Sequence, residues 1–114
     1  MTNNQIRNIV VPRIFEKVGL EVVNKRNLLG SNFNLKKNQP DSVLAIEALT
    51  EEFNKLSKNE KFKTEQYITS LSTNSIFRQL KQLIEQSFET GCKEKIAESM
   101  NYIGNQIIKN FKNL

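Results

Sequence analysis

Apolar side chains recur at steps of three and four residues along most of this 114-residue chain, with charged and amide side chains between them. This spacing is the period of an amphipathic α-helix that turns one face toward a core. It is clearest near the C-terminus, where one stripe comprises Ile96, Met100, Ile103, Ile107, Ile108, Phe111 and Leu114. The pattern predicts a last helix over residues 92–114. Its stripe suits an intramolecular core, with a homodimer seam as the alternative.

A second helix is predicted directly before the last one. Ser75 is a candidate N-terminal cap, the apolar residues that follow keep helical spacing to about Glu89, and Gly91 is placed to end the helix. Because the connection to the last helix is so short, the two helices should pack antiparallel.

Two shorter helical patterns lie in the middle of the chain. Residues 61–71 predict a shorter helix, with Phe62, Tyr67, Ile68 and Leu71 as its apolar residues. Another helix is expected to open at Pro40, with Asp41 or Ser42 as its cap, because short polar side chains accept hydrogen bonds from the first free N–H groups of a helix.

The N-terminal pattern contains a conflict. Ile6, Val10, Ile14 and Val18 recur every four residues, yet Pro12 lies among them and cannot donate a backbone hydrogen bond. Either one helix is kinked at Pro12, or an extended entry leads to a helix that begins there, and the second interpretation is favoured. Residues 18–23 are rich in β-branched side chains, so a short strand is an alternative for that stretch.

Residues 24–40 are rich in asparagine and other turn formers and predict a long polar, basic loop. The whole chain, residues 1–114, is therefore expected to form one all-α domain, a bundle of four to five helices.

Composition argues against catalysis. The chain has no histidine, one cysteine and four isolated glycines, so it lacks the usual general base, multi-cysteine metal sites and a glycine-rich phosphate loop. We expect no enzyme activity, no metal or other cofactor and no small-molecule substrate. Cys92 is expected to be a small, partly buried packing residue. Without an apolar run long enough for a membrane span, a cytoplasmic location is expected and membrane binding is not.

The net charge of +5 is concentrated in the first 40 residues, which hold seven basic and two acidic side chains. Cations neutralise phosphates, and an aromatic ring among them offers a stacking platform for an unpaired base. The sequence therefore predicts a non-enzymatic nucleic-acid-binding protein, or an accessory protein of a nucleoprotein complex. Its candidate contact residues are Arg7, Arg13, Lys25, Arg26, Phe33, Lys36 and Lys37.

A protein partner is the alternative reading of the same features. Amphipathic helices and a basic surface also suit a protein–protein interaction module such as a bacteriocin immunity protein, an antitoxin or an adaptor. In that case an apolar groove or helix face would carry the binding, and the basic residues would matter less.

Overall fold

The architecture is entirely helical wherever the computed structural model describes the chain, which is over residues 1–28, 40–90 and 92–111. A helical turn, Asn3–Gln5, and a π-helical segment, Ile6–Val10, precede five α-helices. These helices are α1 (Val11–Leu28), α2 (Pro40–Asn54), α3 (Lys58–Ser72), α4 (Ser75–Glu89) and α5 (Lys93–Phe111). The prediction of an all-α bundle of four to five helices is confirmed.

The N-terminal segment is helical on both sides of Pro12. Thr2 begins it with a capping box, in which its side chain accepts a hydrogen bond from the Gln5 N–H and the Gln5 side chain accepts one from the Thr2 N–H. The favoured extended entry was therefore wrong, although the regular α-helix does begin beside Pro12, at Val11. In the π-helical turn the Val11 N–H donates to the Ile6 carbonyl, five residues earlier instead of the four of an α-helix. This wider hydrogen-bond spacing lies directly before Pro12, which has no N–H to donate. The alternative strand over residues 18–23 was also wrong, because α1 runs through it.

Helix α1 is the centre of the bundle and contacts α2, α4 and α5. Its buried face includes Ile14, Phe15 and Val18. Close approach to its neighbours occurs at Gly19, where an added Cβ atom would lie 2.8 Å from Ile46 Cγ1 and 2.9 Å from Phe88 Cζ. The absence of a side chain at Gly19 therefore lets α1 pack directly on α2 and α4.

Helices α4 and α5 pack antiparallel, as their short connection predicted. The α5 stripe lies in the core of the single chain, where Ile96, Ile103, Ile107 and Phe111 are buried. The intramolecular interpretation of this stripe is thus confirmed for its described residues, while Leu114 lies outside them. Helix α3 joins this end of the bundle through Tyr67, whose hydroxyl donates to the Phe111 carbonyl at 2.9 Å.

Several helix boundaries differ from their predictions. Helix α1 extends to Leu28 and α2 starts at Pro40, so the predicted loop over residues 24–40 was too long, and residues 29–39 lie outside the described ranges. Lys25, Arg26 and Leu28 have good helix propensities, which outweigh the asparagines between them.

The predicted caps also change. Ser42 lies inside the first turn of α2, where its buried hydroxyl donates to the Phe88 carbonyl at 3.1 Å and so ties α2 to α4. Asn74, rather than Ser75, caps α4 by accepting from the Ile76 N–H. Helix α3 begins earlier than residue 61 because Ser57 provides its cap. Gly91, the predicted end of α4, lies outside the described residues.

Candidate nucleic-acid interface

Arg13, one of the predicted contact residues, is directed into the bundle. Its guanidinium forms an ion pair with Glu16 on the same helix, and its Nε donates to Glu65 Oε1 on α3 at 2.6 Å. The guanidinium carbon also lies 4.2 Å from the centre of the Phe53 ring on α2, which is a cation–π contact. Arg13 therefore connects three helices and is less available to an external phosphate.

Glu65 balances a second basic side chain of the N-terminal region. Lys17 Nζ donates to Glu65 Oε2 at 2.8 Å. Desolvation raises the pKa of the Glu65 carboxyl, but the hydrogen bonds from Lys17 and Arg13 outweigh it, so the pKa lies below its ordinary value. Part of the N-terminal charge excess is thus compensated by an acidic residue from a later helix.

The other predicted contact residues are not brought together within the described ranges. Arg7 and Lys25 are both exposed, but 18 positions of helix place them about 27 Å apart at a rise of 1.5 Å per residue. Arg26 lies in the last turn of α1, and its side chain is outside the described residues. Phe33, Lys36 and Lys37 also lie outside them, so their predicted role stays a prediction.

The outward face of α3 presents an aromatic ring, that of Phe62. The Phe62 side chain is 61% exposed, whereas Tyr67, Ile68 and Leu71 of the same helix are buried. The predicted helix is present, but the Phe62 ring is not part of its buried face. This ring lies instead among polar and basic neighbours at the surface.

We define the α3 face as the exposed residues on the Phe62 side of the helix: Lys58, Phe62, Lys63, Gln66, Thr69 and Ser70. Helical spacing puts Lys58, Phe62, Gln66 and Thr69 in one row. Neither acidic residue of α3 places an unpaired negative charge on this row. Glu65 is paired with Arg13 and Lys17, and Glu60 lies about 160° around the helix from Phe62 at 3.6 residues per turn.

A surface groove of about 660 Å³ runs along this face and is lined by Phe62, Lys63, Gln66, Thr69 and Ser70, together with Met1, Glu65 and Tyr67. The groove combines one exposed ring, one lysine, the Glu65 carboxylate that is paired with Arg13 and Lys17, and several groups that accept or donate hydrogen bonds. The hydroxyls of Thr69 and Ser70 donate to carbonyls of their own helix, which leaves their oxygen atoms able to accept.

The sequence analysis did not identify the α3 face, because it grouped Phe62 with the other apolar residues of the helix. A signal for its exposure was present: Tyr67, Ile68 and Leu71 define a stripe of three- and four-residue steps, and Phe62 falls outside it by more than a quarter turn. Lys61 and Lys63, which flank Phe62 in the sequence, are also residues seldom found in a core.

The thiol of Cys92 is a further candidate chemical group, and it lies at the surface. Cys92 is exposed, with Sγ at 3.0 Å from Glu94 Oε2, so the prediction of a partly buried packing residue was wrong. The thiol lowers the pKa of Glu94 by its hydrogen bond.

Within residues 1–28, 40–90 and 92–111, no three acidic, cysteine or histidine side chains form a cluster suited to a metal ion. Over the same residues, no helix combines the length and apolarity required to cross a bilayer.

No protein-family model, curated protein or solved structure matches this chain.

Proposed function

We propose that this protein is a non-enzymatic module that binds single-stranded nucleic acid through the α3 face. The observation that carries the proposal is the 61% exposed Phe62 ring on a helix face that displays Lys58 and Lys63. A large apolar side chain this exposed is costly to hydrate, and a planar ligand that covers it recovers that free energy.

Base stacking suits the Phe62 ring because every nucleobase has an apolar face of similar size. Aromatic stacking contributes about 1–3 kcal/mol per base and is tolerant of sequence. Lys58 and Lys63 lie one helical turn or less from the ring, where their ammonium groups can reach the phosphates on either side of a stacked base. Gln66, Thr69 and Ser70 supply the α3 face with groups that can hydrogen-bond to base edges or sugars.

Double-stranded nucleic acid fits this face less well, because its bases are already stacked and paired. The basic residues predicted from the sequence then have a supporting role. Arg7, Lys25, Arg26, Lys36 and Lys37 add long-range attraction for a polyanion, while Arg13 mainly holds helices together.

Fluorescence anisotropy with a labelled single-stranded oligonucleotide of about 12 nucleotides tests the proposal. Binding should weaken steeply as salt rises from about 50 to 200 mM. Phe62→Ala should weaken binding about 5- to 150-fold, the equivalent of one lost stacking contact. Tyr102→Ala is the matched control, because Tyr102 is also an exposed aromatic residue but lies on α5.

Charge variants separate the α3 face from the N-terminal region. Lys63→Gln should weaken binding and reduce the salt dependence by about one phosphate contact, whereas Lys95→Gln on α5 should do neither. The pair Lys36→Glu and Lys37→Glu measures the contribution of the predicted basic loop. Absence of binding at low salt, or equal affinity of Phe62→Ala and the unchanged protein, would refute the proposal.

Helix α2 favours a second candidate function, the binding of a protein partner. It holds four acidic residues and no basic one, and its outward side displays Leu44, which is 60% exposed, between Glu47 and Asp41. An acidic surface with a central leucine complements a basic amphipathic helix. This face and the α3 face carry opposite charge, so one molecule could serve as an adaptor.

A synthetic helical peptide of leucine and lysine, titrated against isotope-labelled protein, tests this second function by NMR. Shifts should cluster on α2, and Leu44→Gln should weaken binding, whereas Leu83→Gln on α4 should not. Equal binding of a peptide in which alanine replaces leucine would argue against an apolar docking face, because charge alone would then explain the attraction.

A further inference from the structure

A cleft between α1, α3 and α4 combines an apolar floor with a cationic rim. Its volume is about 320 Å³, within the range of small-molecule sites. The floor is formed by Ile14 and Val18 of α1, Ile68 of α3 and Phe77 of α4, all of them buried. Lys17, Glu21, Arg78 and Lys81 surround the opening.

The two lysines at the rim are already paired with carboxylates. Lys17 Nζ lies 2.8 Å from Glu65 Oε2, and Lys81 Nζ lies 3.0 Å from Glu21 Oε2. Arg78 differs, since none of the ion pairs between residues that the structure describes includes it. Among the described residues, Arg78 is therefore the one cation at the rim without an ion-pair partner, and it borders an apolar floor.

We propose that this cleft binds a small amphiphilic monocarboxylate, such as a medium-chain fatty acid. Its hydrocarbon tail covers the floor formed by Ile14, Val18, Ile68 and Phe77. Its carboxylate accepts hydrogen bonds from Arg78, whose planar guanidinium matches a carboxylate in a bidentate arrangement.

The charges around the cleft select one negative charge rather than several. Glu21 and Glu65 each occupy a lysine and repel additional anionic groups, so a polyphosphate fits this rim poorly. A cationic amphiphile is also disfavoured, because Arg78, Lys17 and Lys81 surround the position of its head group and would repel its positive charge. The cleft is thus distinct in ligand chemistry from the α3 face, although Thr69 borders both.

Methyl and amide NMR of the intact protein, titrated with octanoate below its micelle-forming concentration, tests this site. Saturable shifts should appear at Ile14, Val18 and Ile68. Acetate has the same head group without the tail, and octyltrimethylammonium has the same tail with the opposite charge. Neither control should produce these shifts.

Variants connect the shifts to the proposed contacts. Arg78→Gln, at an exposed position that should leave the fold intact, is expected to weaken octanoate binding about 10-fold or more, as for a lost hydrogen bond between charged groups. Lys95→Gln on α5 is the matched control and should have no effect. Phe62→Ala should also leave octanoate binding unchanged, which separates this site from the nucleic-acid proposal.

Three results would overturn the proposal: no saturable shift with octanoate, equal shifts with octyltrimethylammonium, or unchanged affinity in Arg78→Gln. Retained folding of Arg78→Gln is checked in the same spectra, because the amide signals distant from α4 should keep their positions.

Discussion

Arg13 Nε and Glu65 Oε1 lie 2.6 Å apart, although 52 positions separate the two residues in the sequence. Glu65 also accepts from Lys17 Nζ, and Arg13 also pairs with Glu16. These contacts put two basic residues of the N-terminal region into a cluster that holds α1 and α3 together. Local charge counts are therefore a poor guide to the surface potential at this position.

The Arg13–Glu16 pair should respond asymmetrically to substitution. Glu16 is 2% exposed, and its Oε2 has no hydrogen-bond partner among the described residues. Arg13→Met would leave this buried carboxylate without its cation and should lower the free energy of unfolding by about 3–5 kcal/mol. Glu16→Met should cost less than about 1 kcal/mol, because Arg13 keeps Glu65.

Urea denaturation followed by circular dichroism measures both effects. The double variant Arg13→Met with Glu16→Met should be more stable than Arg13→Met alone, since it removes the stranded charge. Equal losses in the two single variants would contradict the asymmetry.

The contribution of Glu65 to stability should depend on pH. The pKa of its carboxyl in the folded protein lies below the ordinary value of 4.5, so its ion pairs are fully formed above that value and are lost as the pH falls through the folded-state pKa. Glu65→Gln should cost about 1 kcal/mol or less at neutral pH, because the carboxylate is partly exposed and screened by solvent.

The difference between Glu65→Gln and the unchanged protein should shrink as the pH falls through the folded-state pKa of Glu65, because both proteins then carry a neutral side chain at this position. Glu98→Gln, at an exposed site on α5, is the control and should show no such difference at neutral pH. If Glu65→Gln lowered the free energy of unfolding by the same amount in acid, hydrogen-bond geometry would supply the stabilisation and charge would not.

Two helical glycines should respond in opposite directions to replacement by alanine. At Gly19 the new Cβ would lie under 3.0 Å from atoms of Ile46 and Phe88, and overpacking of this kind costs about 1–3 kcal/mol. At Gly104 the nearest atom is Val11 Cγ2 at 3.6 Å, an ordinary contact. There the gain in helix propensity should stabilise the protein by up to about 1 kcal/mol.

Thermal or urea unfolding of Gly19→Ala and Gly104→Ala decides the comparison. Each variant is the control for the other, because the chemical change is identical and both sites are buried in helices. If Gly19→Ala proved as stable as Gly104→Ala, α1 would not pack as closely on α2 and α4 as the geometry requires.

Cys92 should react rapidly with thiol reagents in the native protein. Its side chain is exposed at the N-terminal end of α5, with Glu94 as its hydrogen-bond partner. Modification by an aromatic disulfide reagent should therefore proceed at a rate close to that of the unfolded chain, and Cys92→Ser should abolish it. A rate that rises strongly only on denaturation would support the packing role that the sequence suggested.

The helices themselves were largely predictable. Ile103 and Ile107 repeat with the helical period and are fully buried, and the apolar pattern of Ile6, Val10, Ile14 and Val18 likewise marks a buried face. These features depend on residues three or four positions apart, so the helical period shows them directly in the sequence.

The ends of the helices were less predictable because competing local signals differ by small free energies. Ser75 and Asn74 are both good caps, and only the observed hydrogen bond to the Ile76 N–H distinguishes them. Pro12 was read as the start of a helix, yet a preceding π-helical turn allows helical structure on both sides of it.

The sequence by itself determined an all-helical chain, the main apolar stripes and the excess of positive charge near the N-terminus. Only the tertiary structure decided which charges remain available and which apolar residues stay at the surface. Arg13 is neutralised by a distant glutamate, Phe62 is exposed, and the cleft below Arg78 draws on three helices. The physical reason is that burial and ion pairing depend on contacts between helices, whereas helical periodicity depends only on neighbours along one helix.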